Sequence, residues 1–231
     1  MLVTEIPTSS FHADLPLYVP QVPYPVTHRW VADTPPDGSV ASLADVYGGV
    51  VASQATGANQ PVAGTYDGLR GLDFDGVNDQ LTTDDNLSAV TSFTLYAVIK
   101  PSVIPVANRI ILGAGGVYMG ITNAAKLGLI GSAGTFLLGA SSVVAGSWYV
   151  AALGATVGSA GAAVGRFASS LDLAATNSSL TYGALGSLTI AGASTAYFDG
   201  VIRDVSIAIG TMHSEAQMNA NVAALEAEYG I

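Results

Sequence analysis

Residues 71–81 read Gly71-Leu72-Asp73-Phe74-Asp75-Gly76-Val77-Asn78-Asp79-Gln80-Leu81. Leu72 and Phe74 alternate with Asp73 and Asp75, the period of two that sends one face of a β-strand into a core. Asp75-Gly76 supplies the left-handed backbone that a tight turn needs, and a second apolar run starts at Leu81. The pattern partly recurs as Phe198-Asp199-Gly200-Val201-Ile202-Arg203-Asp204, again punctuated by Asp-Gly. Strand signals interrupted in this way predict an antiparallel β-sandwich.

The flanking sequence extends that reading. Thr91–Lys100 alternates cleanly, with Phe93, Leu95, Ala97 and Ile99 on one face. Further strands are predicted at His28–Val31, Arg109–Leu112, Gly116–Ile121, Leu127–Ile130, Phe136–Leu138, Trp148–Leu153, Val164–Phe167, Ser187–Ile190 and Val201–Ile209. In the last of these, simple alternation puts Arg203 on one face with Val201, Val205 and Ile207, where it requires a carboxylate partner. Val50–Gly64 reads as loop, with Asn59-Gln60-Pro61 against regular structure. The period changes at the C-terminus. Ser214 and Gln217 fit a capping box, Met218, Val222, Leu225 and Tyr229 form one stripe, and Gly230 is a stop. This predicts one amphipathic helix over 214–229, packed on the rim or edge of the sandwich.

Composition narrows the function classes. The 231 residues are 50% hydrophobic but only 10% charged, with 27 glycines and a net charge of −10. Seven basic residues argue against phosphate-based nucleic-acid binding and against docking to an anionic membrane. Cysteine is absent, so neither a disulfide nor a thiolate zinc site can form. No signal peptide is expected from Met1–Pro7, which lacks a basic start and an apolar core. Leu127–Gly165 carries no charge and contains the spacings Gly154-x-x-x-Gly158 and Gly161-x-x-x-Gly165. Its glycines recur every few residues, which suits strands and turns better than a membrane helix. A charge-poor exterior also suits burial against partner subunits.

Residues 1–36 hold seven of the ten prolines, interleaved with Phe11, Leu15, Leu17, Tyr18, Val22 and Tyr24. Proline favours extended backbone, and a disordered tail is poorer in aromatic and branched residues. Residues 1–26 therefore read as an extended arm lying on a surface, its own or a neighbour's, with those six side chains as the partner-binding set. Residues 27–231 form the sandwich domain.

Taken with the terminal helix, several segments carry a family resemblance. They are Gln54–Pro61, Gly68–Asp79, Ser92–Pro101, the strand opening Gly146-Ser147-Trp148, and Phe198–Val205. Over roughly residues 27–231 the chain resembles laminin-G-like, concanavalin-A-like jelly-roll domains. That superfamily includes lectins, adhesion modules, glycosidases and virion proteins, so the resemblance implies a fold before a function. With the proline-rich arm added, the chain resembles bacteriophage decoration, tail and fibre proteins.

Catalytic chemistry finds little footing. Glycosidases need two flanking carboxylates, and the glucanase branch carries alternating acids with glutamate on a strand. Here the glutamates are Glu5, Glu215, Glu226 and Glu228, none of them between Pro7 and Ser214 where the predicted strands lie, which leaves an aspartate pair such as Asp73 and Asp75. His12, His28 and His213 are marginal, and there is no Gly-x-Ser-x-Gly elbow. Calcium is the ligand that composition favours. Asp67, Asp73, Asp75, Asp79, Asp84 and Asp85 crowd into nineteen residues, and Asp75, Asn78 and Asp79 are the candidate ligands. The competing reading is that these residues cap turns through backbone amides. Tyr47, Tyr66, Tyr118 and Trp148 are candidate sugar platforms, without a visible cluster.

The expectation is a non-catalytic bacteriophage virion structural protein, a capsid-decoration or tail- or fibre-associated subunit. Its partners would be other virion proteins and copies of itself. The alternative is a carbohydrate-binding or adhesion module recognising a cell-surface glycan, with or without calcium. No other cofactor is expected.

Overall fold

The computed structural model describes residues 22–131, 134–156, 163–167, 185–193 and 195–231. The strands are β1 His28–Val31, β2 Gly38–Ser39, β3 Ser42–Ala44, β4 Val51–Ser53, β5 Val62–Tyr66, β6 Leu69–Asp75, β7 Leu81–Thr83 and β8 Ser92–Pro101. They continue with β9 Arg109–Ala114, β10 Val117–Ile121, β11 Lys126–Gly131, β12 Gly134–Ser142, β13 Tyr149–Thr156, β14 Ala163–Phe167, β15 Leu188–Ile190 and β16 Asp199–Ile209. One helix, α1, spans Glu215–Tyr229.

Two eight-stranded antiparallel sheets face each other. Sheet A runs β14-β13-β8-β16-β6-β5-β2, with β1 paired to the far half of β16. Sheet B runs β12-β11-β10-β9-β15-β7-β4-β3. The expected β-sandwich with one C-terminal helix is the observed architecture. Phe74, Leu81, Leu95, Ile99, Leu112 and Met119 meet between the sheets and are fully buried. Each such side chain contributes about 1.5–3 kcal/mol by leaving water.

Three local predictions need correction. The expected loop over Val50–Gly64 contains β4, a short 3-10 turn at Gly57–Asn59, and the start of β5. Its strands are only three and five residues long, and their polar, Gly-containing sequences carry little alternation. The two Asp-Gly pairs also differ. Asp75-Gly76 is a turn, with Gly76 at φ +70°, whereas Asp199-Gly200 opens β16, with Gly200 at φ +145° opposite Phe74 and Pro101. Finally, the β16–β8 register shifts between Ile202 and Asp204. This bulge puts Ile202, Val205 and Ile207 in the core together, while Arg203 turns to the other side, 4.8 Å over the Tyr229 ring. Its expected carboxylate partner is Asp33, at 2.6 Å. An inserted residue reverses every face assignment beyond it, which simple alternation misses.

The helix forms as predicted but docks elsewhere. Ser214 and Gln217 close the capping box and Gly230 ends the helix in the left-handed region. Met218, Val222, Leu225 and Tyr229 are all buried, yet against the outer face of sheet A rather than its rim. The reason lies in β8 and β13, whose outward residues Tyr96, Val98, Val150 and Ala152 are as apolar as their inward ones. A sheet hydrophobic on both faces needs cover on both. Gly154 permits the close approach, since a Cβ there would sit 2.9 Å from Met212 Cγ.

A buried ion network fastens this layer. Arg29 on β1 donates through Nε and Nη2 to Asp204 Oδ2 at 2.9 and 2.6 Å, and through Nη2 to Glu228 at 2.9 Å. Tyr229 donates its hydroxyl to the same Asp204 oxygen at 2.6 Å. Burial alone would lower the Arg29 pKa; the Asp204 charge and the hydrogen bonds outweigh it and hold the guanidinium above its ordinary value. The apolar 127–165 window folds as β11, β12, β13 and part of β14. Among the described residues, no helix is long and apolar enough to cross a membrane. Gly158 and Gly161 lie outside the described residues.

Candidate functional site: the outer face of sheet B

On sheet A, α1 covers the outer face over β8 and β13. Sheet B has no helix on its outer face among the described residues. Alternation there is regular: Leu188, Ile190 and Leu81 point inward, so Thr189 and Thr82 point outward, and both are half-exposed. Register then lines up residues from six strands. Tyr118 on β10 is opposite Gly113 on β9, Gly113 opposite Thr189, Thr189 opposite Thr82, Thr82 opposite Ser53, and Ser53 opposite Ser42. Directly opposed residues share a face. The result is one transverse row with a phenol at one end and four aliphatic hydroxyls after it. Among the described residues, none of these hydroxyls has a hydrogen-bond partner.

Glycine shapes the aromatic end. A Cβ on Gly113 would sit 2.8 Å from the Tyr118 ring and 3.5 Å from Ala193, so the ring lies down on bare backbone. A second tyrosine does the same nearby. Phe198 enters the core, which sends Tyr197 outward, bridged in parallel to Ile110 of β9. A Cβ on Gly192 would sit 2.8 Å from the Tyr197 ring and 3.2 Å from Gln80 Oε1. Gln54 Nε2 donates to the Gln80 carbonyl at 3.4 Å, and Gln60 Nε2 to the Gln54 carbonyl at 2.8 Å. Uncharged donors and acceptors beside two half-exposed rings make this face suited to polyhydroxylated ligands, which stack on π-faces and exchange hydrogen bonds with hydroxyls.

The other sugar-platform candidates lie away from this face. Trp148 packs against the helix layer. Tyr66 lies over Gly64 and Gly71 on sheet A, donating to the Val62 carbonyl at 3.3 Å. Tyr47 is 43% exposed and lines a 140 Å³ cavity with Val22, Pro25 and Val26, on the helix side. Of the four, Tyr118 alone is on the sheet B face. Tyr197 and the Ser/Thr row went unrecognised in sequence, because isolated hydroxyls become a set only when register aligns them.

The calcium candidates occupy the β6–β7 turn. Asp75 Oδ1 accepts from the amides of Val77, Asn78 and Asp79 at 2.8, 3.1 and 3.3 Å, and Asp79 Oδ2 accepts from Asp75 N at 3.1 Å. Burial would raise the Asp75 pKa; these three amides outweigh it and lower it. This is the turn-capping geometry weighed from the sequence. Asp73, Asp79 and Asp199 are pushed up instead, by burial first; neighbouring carboxylates add to it at all three, while Arg109 opposes it at Asp199 and the Asp75 amide at Asp79. Among the described residues, no cluster of three or more histidine, aspartate or glutamate side chains has metal-binding geometry.

Two residues of the expected partner-binding set are described. Val22 is buried against the helix layer, and Tyr24 is held through its backbone: Tyr24 N donates to Asn221 Oδ1 at 2.8 Å and Asn221 Nδ2 donates to Tyr24 O at 3.0 Å. Phe11, Leu15, Leu17 and Tyr18 lie outside the described residues. His213 braces the next residue through the Pro25 backbone, while Tyr96 Oη contacts its Nδ1 at 2.6 Å. Burial lowers the His213 pKa below its ordinary value, opposed by the Pro25 bond. Native protein therefore resists protonation that the unfolded chain accepts. Stability is intact above about pH 6.5 and falls as pH drops through the lowered native pKa. The raised carboxylates act with the opposite sign. Urea midpoints at pH 7.5 and 5.5 should consequently fall further for wild type than for His213→Asn, and equal falls would refute the assignment.

No protein-family model and no curated protein matches this sequence. Solved structures do match in fold. A mutant Trypanosoma rangeli sialidase displaying trans-sialidase activity superposes with TM-score 0.61 at 15% identity, over 88% of this chain and 33% of that one. The same organism's sialidase in complex with the inhibitor DANA gives 0.60 at 17%, over 87% and 33%. The chain thus spans about a third of the length of these sialidases. Domain 4 of AbnA, a GH43 extracellular arabinanase from Geobacillus stearothermophilus, in complex with arabinotriose, gives 0.61 at 15%, over 85% of this chain and 98% of that domain. At these identities what is shared is the β-sandwich fold, and in the last case the likeness spans an entire separate domain.

Proposed function

We propose that this protein is a non-catalytic carbohydrate-binding module whose ligand lies on the outer face of sheet B. The observation that carries the reading is the Tyr118 ring laid on Gly113 at the head of a row of outward-facing hydroxyls. The whole-domain likeness to an arabinanase domain seen with arabinotriose supports it. The virion-assembly role expected from the arm and the low charge has no counterpart among these matched structures, and Val22 and Tyr24 are engaged by their own chain.

The test is affinity electrophoresis in gels containing arabinan, xylan, glucan or mannan. Wild type should be retarded by at least one of them. Tyr118→Ala should weaken binding by about tenfold, the loss of one stacked aromatic surface. Wild type moving freely in every gel would sink the proposal.

A further inference from the structure

The row on sheet B also constrains what kind of glycan could bind, granted the carbohydrate-binding reading. We infer that the ligand is an extended stretch of a neutral polysaccharide, about five sugars long, laid across the strands.

Two features of the face support this. The first is span. From Tyr118 on β10 through Gly113, Thr189, Thr82 and Ser53 to Ser42 on β3, the row crosses six strands. Five interstrand steps of about 4.8 Å give about 24 Å, the reach of roughly five sugars in an extended chain. Each rung after the glycine offers one hydroxyl, which both donates and accepts, as a sugar hydroxyl does. The second is charge. The row holds no ionised group, and Asp84 sits beside it, accepting from Val51 N at 3.1 Å. With a net charge of −10, a uronate or sialate would meet repulsion and no guanidinium partner in the row.

The experiment is calorimetric titration with arabino-, xylo- and cello-oligosaccharides of two to seven units, and with polygalacturonate. Affinity for the preferred neutral series should climb with each added unit and level off near five. Thr82→Val and Thr189→Val are half-exposed, near-isosteric changes, and far-ultraviolet circular dichroism confirms their folding. Each should cost about fivefold for the longest oligomers and nothing for the dimer, as expected for one lost hydrogen bond. Polygalacturonate should not bind. Three results overturn the inference while leaving the module intact: affinity flat beyond two units, full affinity in the threonine variants when Tyr118→Ala still fails, or preference for polygalacturonate. Absence of binding to every probe overturns the module reading itself.

Discussion

Arg29→Met is expected to destabilise the fold by about 3–5 kcal/mol, the usual consequence of removing one member of a buried ion pair. Arg29 is fully buried, and its loss leaves Asp204 buried and Glu228 nearly so, without their cation. One Asp204 oxygen already lacks a partner, and the other would retain only the Tyr229 hydroxyl. Methionine matches the volume, so packing changes little. Urea denaturation reads the loss directly. The double variant with Asp204→Leu should recover part of it, because no orphaned carboxylate then remains at that position. A loss below 1 kcal/mol for Arg29→Met would show that the network is ornamental. The network joins β1, β16 and α1, so helix content monitored at 222 nm should melt earlier than the sheet in the single variant.

Gly200→Ala is expected to cost about 3 kcal/mol or more. Gly200 has φ +145°, and a Cβ there would sit 2.4 Å from the Lys100 carbonyl oxygen and 2.9 Å from both Pro101 Cα and Ser102 N. All three are backbone atoms of β8 and its exit, so no rotamer change relieves the overlap. Conformational strain and overpacking each contribute about 1–3 kcal/mol. Gly48→Ala is the control: its φ is +84° with nothing within 4 Å, so it carries strain alone. A thermal midpoint lowered about 10 °C for Gly200→Ala, against a few degrees for the control, is the expected outcome. Equal shifts would show that the clash is absorbed by strand movement.

Both predictions depend on features that differ in how far sequence discloses them. The alternation of Phe93, Leu95, Ala97 and Ile99 announces β8 and its inward face, because period two is a local signal. Ser214, Gln217 and Gly230 likewise announce the helix ends, since caps are made by neighbours in the chain. Where α1 docks is not local. It depends on Tyr96 and Val150 sharing an outer face, which follows from β8 pairing with β13 more than fifty residues away. The same applies to the candidate site. Tyr118 was legible as an aromatic in a strand; Tyr197, Thr82 and Thr189 join it only through the register of β7, β9, β10 and β15. The bulge at Arg203 shows the cost of assuming strict alternation, for one extra residue moved a charged side chain from the core face to the helix face.

Chain direction adds a practical corollary. Val22, where the described arm begins, and Ile231, which follows the helix stop, both sit on the α1 side. Tethering the molecule through Ile231 to a biosensor chip or a bead therefore orients Tyr118 and its neighbours toward the bulk solution. Immobilised and free protein should then display the same accessible surface, without any linker redesign.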